Sequence, residues 1–284
     1  MSPRRRDLRA SASPKTSNPD VVTAADLEAE RIVLEVLLGA RPDDGVLAEE
    51  SSSRQGTSKV TWIVDPLDGT TNFIYGYPGF AVSIAASLEG AVVAGVVNDP
   101  IAGETFAATL GGGATLNGEA IAPNAAASLG SALVGTGFGF PRASARPRPA
   151  SSPSCFPPCA TSDAAAAPSS IAATVGAGRL DAYFEAGLKP WDCAAGLLAA
   201  EEAGCASRLL SQFPDQERTL VIASGAILDA LVARLLDSDA QAHPAAPRSK
   251  KVAGRTTRSR VCRSEAAVVS DDAANGGVRR ERSA

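Results

Sequence analysis

The run Trp62-Ile63-Val64-Asp65-Pro66-Leu67-Asp68-Gly69-Thr70-Thr71-Asn72-Phe73 sets two carboxylates three positions apart at the end of an apolar stretch, followed by a Gly-Thr-Thr turn. Aspartates are hard oxygen donors, and a glycine turn that opens a helix at Thr70 aims backbone N–H groups at an anion. Read alone, Asp-Pro-Leu-Asp-Gly is equally a plain turn, because Asp, Pro and Gly all form turns. Carboxylates beside an anion cradle are electrostatically consistent only with cations between them, which is the requirement of metal-assisted phosphate chemistry. Further acids could join them. Glu49, in Ala48-Glu49-Glu50-Ser51, reads either as a third ligand or as a solvated loop residue. Asp192 after Pro190-Trp191 reads as a helix N-cap or as a carboxylate pointed into a cleft, and Asp26 after Thr23 as a helix start. The only histidine, His243, lies in a basic tail, so mechanisms built on a histidine base are disfavoured.

These side chains need elements to hold them. Thr23 can cap a helix whose apolar positions run from Leu27 to Leu38, ended by Gly39. Val46 to Ala48 forms a short strand delivering Glu49, and Val60 to Val64 a second strand delivering Asp65 and, just past its end, Asp68. Residues 80–121 read as an antiparallel meander, with turns at Glu89-Gly90 and Asn117-Gly118. Strands follow at Leu133 to Gly137, Arg179 to Phe184 and Thr219 to Ala223; helices follow from Asp192 to Ala203 and, capped by Ser224, to Leu236. Alternating sheets and helices imply a layered α/β architecture.

The chain of 284 residues carries a net charge of −4, split as +4 for residues 237–284 and −8 for the remainder. That balance does not suggest a nucleic-acid binder, and an acidic body suits a protein that gathers divalent cations. Five cysteines at irregular spacings describe no disulfide framework, and Cys155 and Cys159 have no second Cys/His pair near them for zinc. No apolar run approaches a membrane span, and the basic start lacks the apolar core of a signal peptide, so a cytoplasmic location is expected. Residues 1–14 and 237–284 are expected to be disordered, flanking one domain over 15–236.

The segments Val22-Thr-x-x-Asp26, Ala48-Glu-Glu-Ser51, Asp65-Pro-Leu-Asp-Gly-Thr-Thr-Asn-Phe73 and Trp191-Asp-Cys-Ala-Ala-Gly196 resemble, in order and approximate spacing, the inositol monophosphatase family. The resemblance covers about residues 15–140 and 176–236. It implies an α+β sandwich of alternating layers (α-β-α-β-α), as in inositol monophosphatase and fructose bisphosphatase. It also implies a Mg²⁺-dependent phosphomonoesterase using metal-activated water on inositol monophosphate or a similar small phosphate. Glu49, Asp65, the Leu67 carbonyl, Asp68 and Asp192 then look like the Mg²⁺ ligands. Gly69 and Thr70 would hold the phosphate, Thr70 paired with Asp26 would orient water, and Glu185 would contact a substrate hydroxyl. The expected partner is a small phosphorylated molecule, with no membrane or nucleic acid, and a homodimer is admitted.

Residues 141–175 depart from that pattern. They hold seven of the nineteen prolines, no leucine and no helical or strand period, where the family has a helix, a strand and a Gly-Ser-Ala-Ala-Leu-Asp-like substrate loop. With GC-rich codons chosen at degenerate positions, reading Cys159 to Ile171 in a shifted frame restores a Gly-Gly-Ser-Ala-Val-Leu-Asp string, which suggests translation from the wrong frame. The segment is therefore expected to leave sheet surface uncovered, with poor stability and weak turnover. Two alternatives follow: a catalytically impaired member that acts by binding a partner, and an enzyme for histidinol phosphate, fructose bisphosphate or adenosine bisphosphate.

Overall fold

The computed structural model describes residues 13–14, 21–22, 24–126, 128–137, 161–163, 167–211 and 218–242. The expected cap Thr23, most of the segment 141–166, and the tail beyond Ala242 lie outside those residues. Ser13–Pro14 (β1), placed above in a disordered terminus, pairs antiparallel with Val21–Val22 (β2), whose two β-branched residues favour extended backbone. Helix α1 (Ala24–Ala40) follows.

A seven-stranded sheet has the order β3-β4-β5-β6-β7-β8-β9. Its strands are β3 (Gly45–Ala48), β4 (Val60–Asp68), β5 (Ala81–Leu88), β6 (Ala91–Asp99), β7 (Glu104–Thr109), β8 (Gly113–Leu116) and β9 (Glu119–Ala120). The first pair is parallel and the rest form the expected meander. Its turns at Glu89-Gly90 and Asn117-Gly118 have φ of 52° and 80°, and 51° and 86°, as a tight two-residue hairpin requires. Between β4 and β5 lies the short helix α2 (Thr70–Tyr75).

The second sheet has five strands in the order β11-β10-β12-β14-β13. They are β10 (Leu133–Thr136), β11 (Thr161–Asp163), β12 (Ala182–Ala186), β13 (Ala206–Leu210) and β14 (Thr219–Ala223). Helices α3 (Pro168–Gly176), α4 (Pro190–Ala203) and α5 (Gly225–Ala242) complete the fold. The last helix runs past the expected stop at Leu236, because Asp237 to Ala242 contains no glycine or proline to end it.

Apolar faces settle the layering. Val33 and Leu37 of α1 pack on Val46 and Val64 of the larger sheet. Its other face, through Ile63, Ala85, Val97 and Phe106, meets Ala194, Ala195 and Leu198 of α4. Ile171 and Val175 of α3, with Leu197 and Ala200 of α4, then pack on Tyr183, Leu220 and Ile222 of the smaller sheet. The far face of that sheet, Val134, Phe184 and Val221, is covered by Ile227 and Leu231 of α5. The order is helix, sheet, helix pair, sheet, helix, as the layered reading expected.

One expectation is overturned. The described end of the segment 141–175 covers sheet surface, because 168–176 form α3 and pair with α4 between the two sheets. Pro168 occupies the first helical turn, where its missing N–H costs nothing, and Ile171, Ala172, Ala173 and Val175 are buried. Alanine supplies the contact surface that leucine would supply elsewhere. The close approach of α3 to α4 depends on Gly196, where a Cβ would lie 2.3 Å from the Ser169 carbonyl oxygen. Gly196→Ala is expected to lower the unfolding free energy by about 1–3 kcal/mol, as overpacking does, and urea denaturation would measure the loss.

Candidate functional site

Strand pairing brings the acids together. The parallel register of β3 and β4 sets Ala48 beside Val64, and the Glu49 N–H donates to the Val64 carbonyl at 3.2 Å, so Glu49 emerges next to Asp65. Strand β4 does not stop before Asp65, as expected above, but continues through Asp68 with a bulge. Asp65 pairs with Ser83 and Asp68 with Ala81, so three steps on one strand match two on the other. Side chains three apart on a regular strand point to opposite faces; the extra residue of a bulge restores them to one side. Pro66, which has no N–H for the ladder, sits in that irregularity. Asp192 lies not at the helix cap but in the first turn of α4, and its Oδ2 accepts the Lys189 N–H at 2.7 Å. Ser83 Oγ donates to the Trp191 carbonyl at 3.3 Å and ties that turn to β5.

Burial and mutual repulsion set the electrostatics. Asp65 and Asp68 are 2% and 5% exposed, and no Lys or Arg forms an ion pair with them or with Asp192 among the described residues. Burial first, then the charges of Asp68, Glu49 and Asp192, push the Asp65 carboxyl well above the usual range. Burial, then Asp68, raises Asp192 as well, against the Lys189 N–H that lowers it. Asp68 is pushed up to about 7 by burial, opposed by hydrogen bonds from Ser169 and reinforced by Glu49 and Glu185.

A folded carboxyl with a raised pKa holds its proton where the unfolded one has lost it. Its contribution to stability is complete below the unfolded value near 3.8 and is lost as pH rises through the folded value, about 7 for Asp68. The chelator-treated protein is therefore expected to melt several degrees lower at about pH 8 than at about pH 5, a difference that saturating Mg²⁺ should shrink. A metal-free melting temperature that rises across this interval contradicts the arrangement.

Among the described residues, no three His, Cys, Asp or Glu side chains are drawn tightly enough to hold a metal ion as they stand. The carboxylates instead turn oxygens onto protein donors: Asp65 Oδ1 onto the Leu67 N–H at 3.1 Å, Asp68 Oδ2 onto Ser169, Asp192 Oδ2 onto Lys189. The donor chemistry nevertheless fits a hard divalent cation. It is all oxygen, with Asp65 and Asp68 buried and Glu49 and Asp192 half-buried, and strongly negative unless a proton or a cation offsets it.

Beside the acids, Thr70 Oγ1 lies 2.8 Å from Asp26 Oδ1 as donor, and 3.1 Å from the Leu67 carbonyl oxygen. Asp26 is fully buried on α1. Gly69 has φ of 85°, and a Cβ there would meet the Gly79 carbonyl at 2.9 Å, so glycine is required by both conformation and space. Glu185 lies on β12, where the buried Tyr183 hydroxyl donates to its Oε2. A Cβ on Gly137 would stand 1.9 Å from the same oxygen, so that glycine gives the carboxylate its place.

The sequence reading missed Ser169, whose N–H and Oγ both reach Asp68 Oδ2, at 2.8 and 2.5 Å. The available signal was Pro168 followed by buried-type residues at 171, 172 and 175, a helix start with one apolar face. The expected substrate loop falls mostly outside the described residues.

Acids gathered at a bulged strand end, with a Thr–Asp pair beside them in an α-β-α-β-α sandwich, place the molecule among layered α/β phosphatases. The model of the inositol monophosphatase family matches residues 2–241. Nus factor SuhB of Escherichia coli K12 is 42% identical over 195 residues, spanning 68% of this chain and 73% of its own. The inositol-1-monophosphatase of Mycobacterium bovis is 38% identical over 234 residues, spanning 78% and 80%. Among solved structures, the suhB protein of Bartonella henselae superposes with a TM-score of 0.71 at 32% identity, covering 81% of this chain and 91% of that one. The inositol monophosphatase of Thermotoga maritima gives 0.69 at 31% identity, covering 80% and 87%. The chain belongs to the inositol monophosphatase family and is a phosphatase-type hydrolase.

Proposed function

We propose that this protein is a Mg²⁺-dependent phosphomonoesterase acting on inositol monophosphate or a closely related small phosphate monoester. The observation that carries the reading is the convergence of Glu49, Asp65, Asp68 and Asp192, where burial and neighbouring negative charge raise the pKa of the three aspartates, with no Lys or Arg in an ion pair to Asp65, Asp68 or Asp192 among the described residues. These side chains and the Leu67 carbonyl would hold the cation. Bound Mg²⁺ would supply positive charge to the phosphate and lower the pKa of a water molecule.

The chain's own residues do the rest. The single proton of the Thr70 hydroxyl, when directed to Asp26, leaves the oxygen's lone pairs free to accept a hydrogen bond from water and orient it for attack. Gly69 and Thr70 open α2 with backbone N–H groups suited to phosphate oxygens. Glu185, oriented by Tyr183, would take a substrate hydroxyl. Gly137→Ala must displace that carboxylate and is expected to lower kcat/KM for inositol 1-phosphate about tenfold, leaving Mg²⁺ affinity unchanged. An unchanged KM and kcat would remove Glu185 from the substrate site.

A cytoplasmic location accords with the two described cysteines, Cys193 and Cys205, being free and buried. No described helix is long and apolar enough to cross a membrane. The test of the function is phosphate release from a panel of inositol, histidinol, fructose and adenosine phosphates with and without Mg²⁺. Release from none would remove the enzymatic reading. It would leave the second one, a partner-binding role, which is favoured by 42% identity to a relative named as a factor rather than for a catalytic activity.

A further inference from the structure

The N-terminal turn of α3 is clasped against the end of β4 and the turns that flank α2. The Ala167 N–H donates to the Gly79 carbonyl at 3.1 Å, and the Ala167 methyl lies 3.4 Å from where a Gly69 Cβ would stand. Two residues on, Ser169 is fully buried and sends two donors to one oxygen: its N–H at 2.8 Å and its Oγ at 2.5 Å from Asp68 Oδ2. Its carbonyl rests against Gly196 of α4, one helical turn beyond Asp192. Ser169 thus touches both the strand that carries Asp65 and Asp68 and the helix that carries Asp192.

We propose that Ser169 is the positioning residue for Asp68, fixing Oδ2 with two hydrogen bonds so that Oδ1 is turned to the cation. The inference rests on the metal-site reading above. A carboxylate free to rotate must be ordered when a cation binds; one held by two donors enters already oriented. Hydrogen-bond partners of metal ligands contribute about 10–100-fold to metal affinity or activity. A serine suits this place because it supplies a backbone and a side-chain donor from one residue, and the second is removable without altering the first. Alanine keeps the N–H bond and nearly all the volume.

The test is a titration of the chelator-treated full chain with Mn²⁺, with free ion followed by electron paramagnetic resonance, for the parent and for Ser169→Ala, Ser169→Thr and Asp65→Asn. Ser169→Ala is expected to weaken Mn²⁺ binding about tenfold, with the metal-free melting temperature within a few degrees of the parent. Ser169→Thr, which restores the hydroxyl, is expected to recover affinity to within about threefold. A Ser169→Ala affinity within twofold of a parent that does bind would overturn the inference and leave the metal site standing. So would a loss of affinity accompanied by collapse of the metal-free fold, or a threonine variant no better than alanine. A parent that binds no Mn²⁺, indistinguishable from Asp65→Asn, would overturn the metal site and this role together.

Discussion

Replacing Asp65 with asparagine is expected to cut Mg²⁺-dependent phosphate release at least about 100-fold while raising the melting temperature of the metal-free protein. The two effects have opposite signs for one reason. Asp65 is buried, and its carboxyl is held above the ordinary range by burial and by Asp68, Glu49 and Asp192. Without a cation this is an unfavourable place for negative charge, and an amide of the same shape removes it while its Oδ1 can still accept the Leu67 N–H. With a cation the same charge is the binding energy, and a neutral oxygen replaces it poorly. Melting curves with chelator and with Mg²⁺ separate the two. A residue that served only to hold the bulge would lose stability under both conditions.

Thr70→Val is the second large effect, and it falls on turnover alone. Valine has threonine's shape without the hydroxyl, so the donor to Asp26 and the acceptor for water disappear together. A positioned acid–base group contributes about 10²–10⁴-fold, so kcat is expected to fall by that order, with KM and Mn²⁺ affinity nearly unchanged. Asp26→Asn should lower kcat as well, and the double variant should be little worse than Thr70→Val, because the two side chains act as one unit. Additive losses would separate Asp26 from Thr70 and leave it a buried structural acid. A kcat for Thr70→Val within threefold of the parent would remove the pair from the mechanism.

How much of this was legible in the sequence depends on where each residue draws its constraint. Asp65, Asp68 and Gly69 stand in a local string, and the polar, glycine-rich end of an apolar run announces itself without knowledge of the rest. Glu49 was legible only as an even choice, because its place beside Asp65 is set by the parallel register of Ala48 on Val64, a pairing across sixteen positions. The bulge was hidden. Nothing in Asp-Pro-Leu-Asp says whether the strand ends at Val64 or kinks and continues to Asp68, although the proline marks where regular pairing fails. The start of α4 was misplaced by two positions, since Pro190 rather than Asp192 opens the helix and Lys189 caps it.

The largest error was α3. A search for leucine and for long amphipathic periods passes over Pro-Ser-Ser-Ile-Ala-Ala-Thr-Val-Gly, which is buried on nearly every side and so needs no polar face. Small residues there are the packing solution between two helices, with Gly196 opposite Ser169 and Gly176 opposite Ala200. Ser169 could not be read as functional because its partner Asp68 lies 101 residues earlier.

One measurement tests the metal-dependent phosphatase most directly: inorganic phosphate released from inositol 1-phosphate by the full chain, with Mg²⁺ and with excess chelator, beside Asp65→Asn under the same conditions. The arrangement of acids predicts release that requires Mg²⁺, vanishes with chelator and is lost in the variant. Equal release with chelator present, or an Asp65→Asn protein as active as the parent, would contradict it.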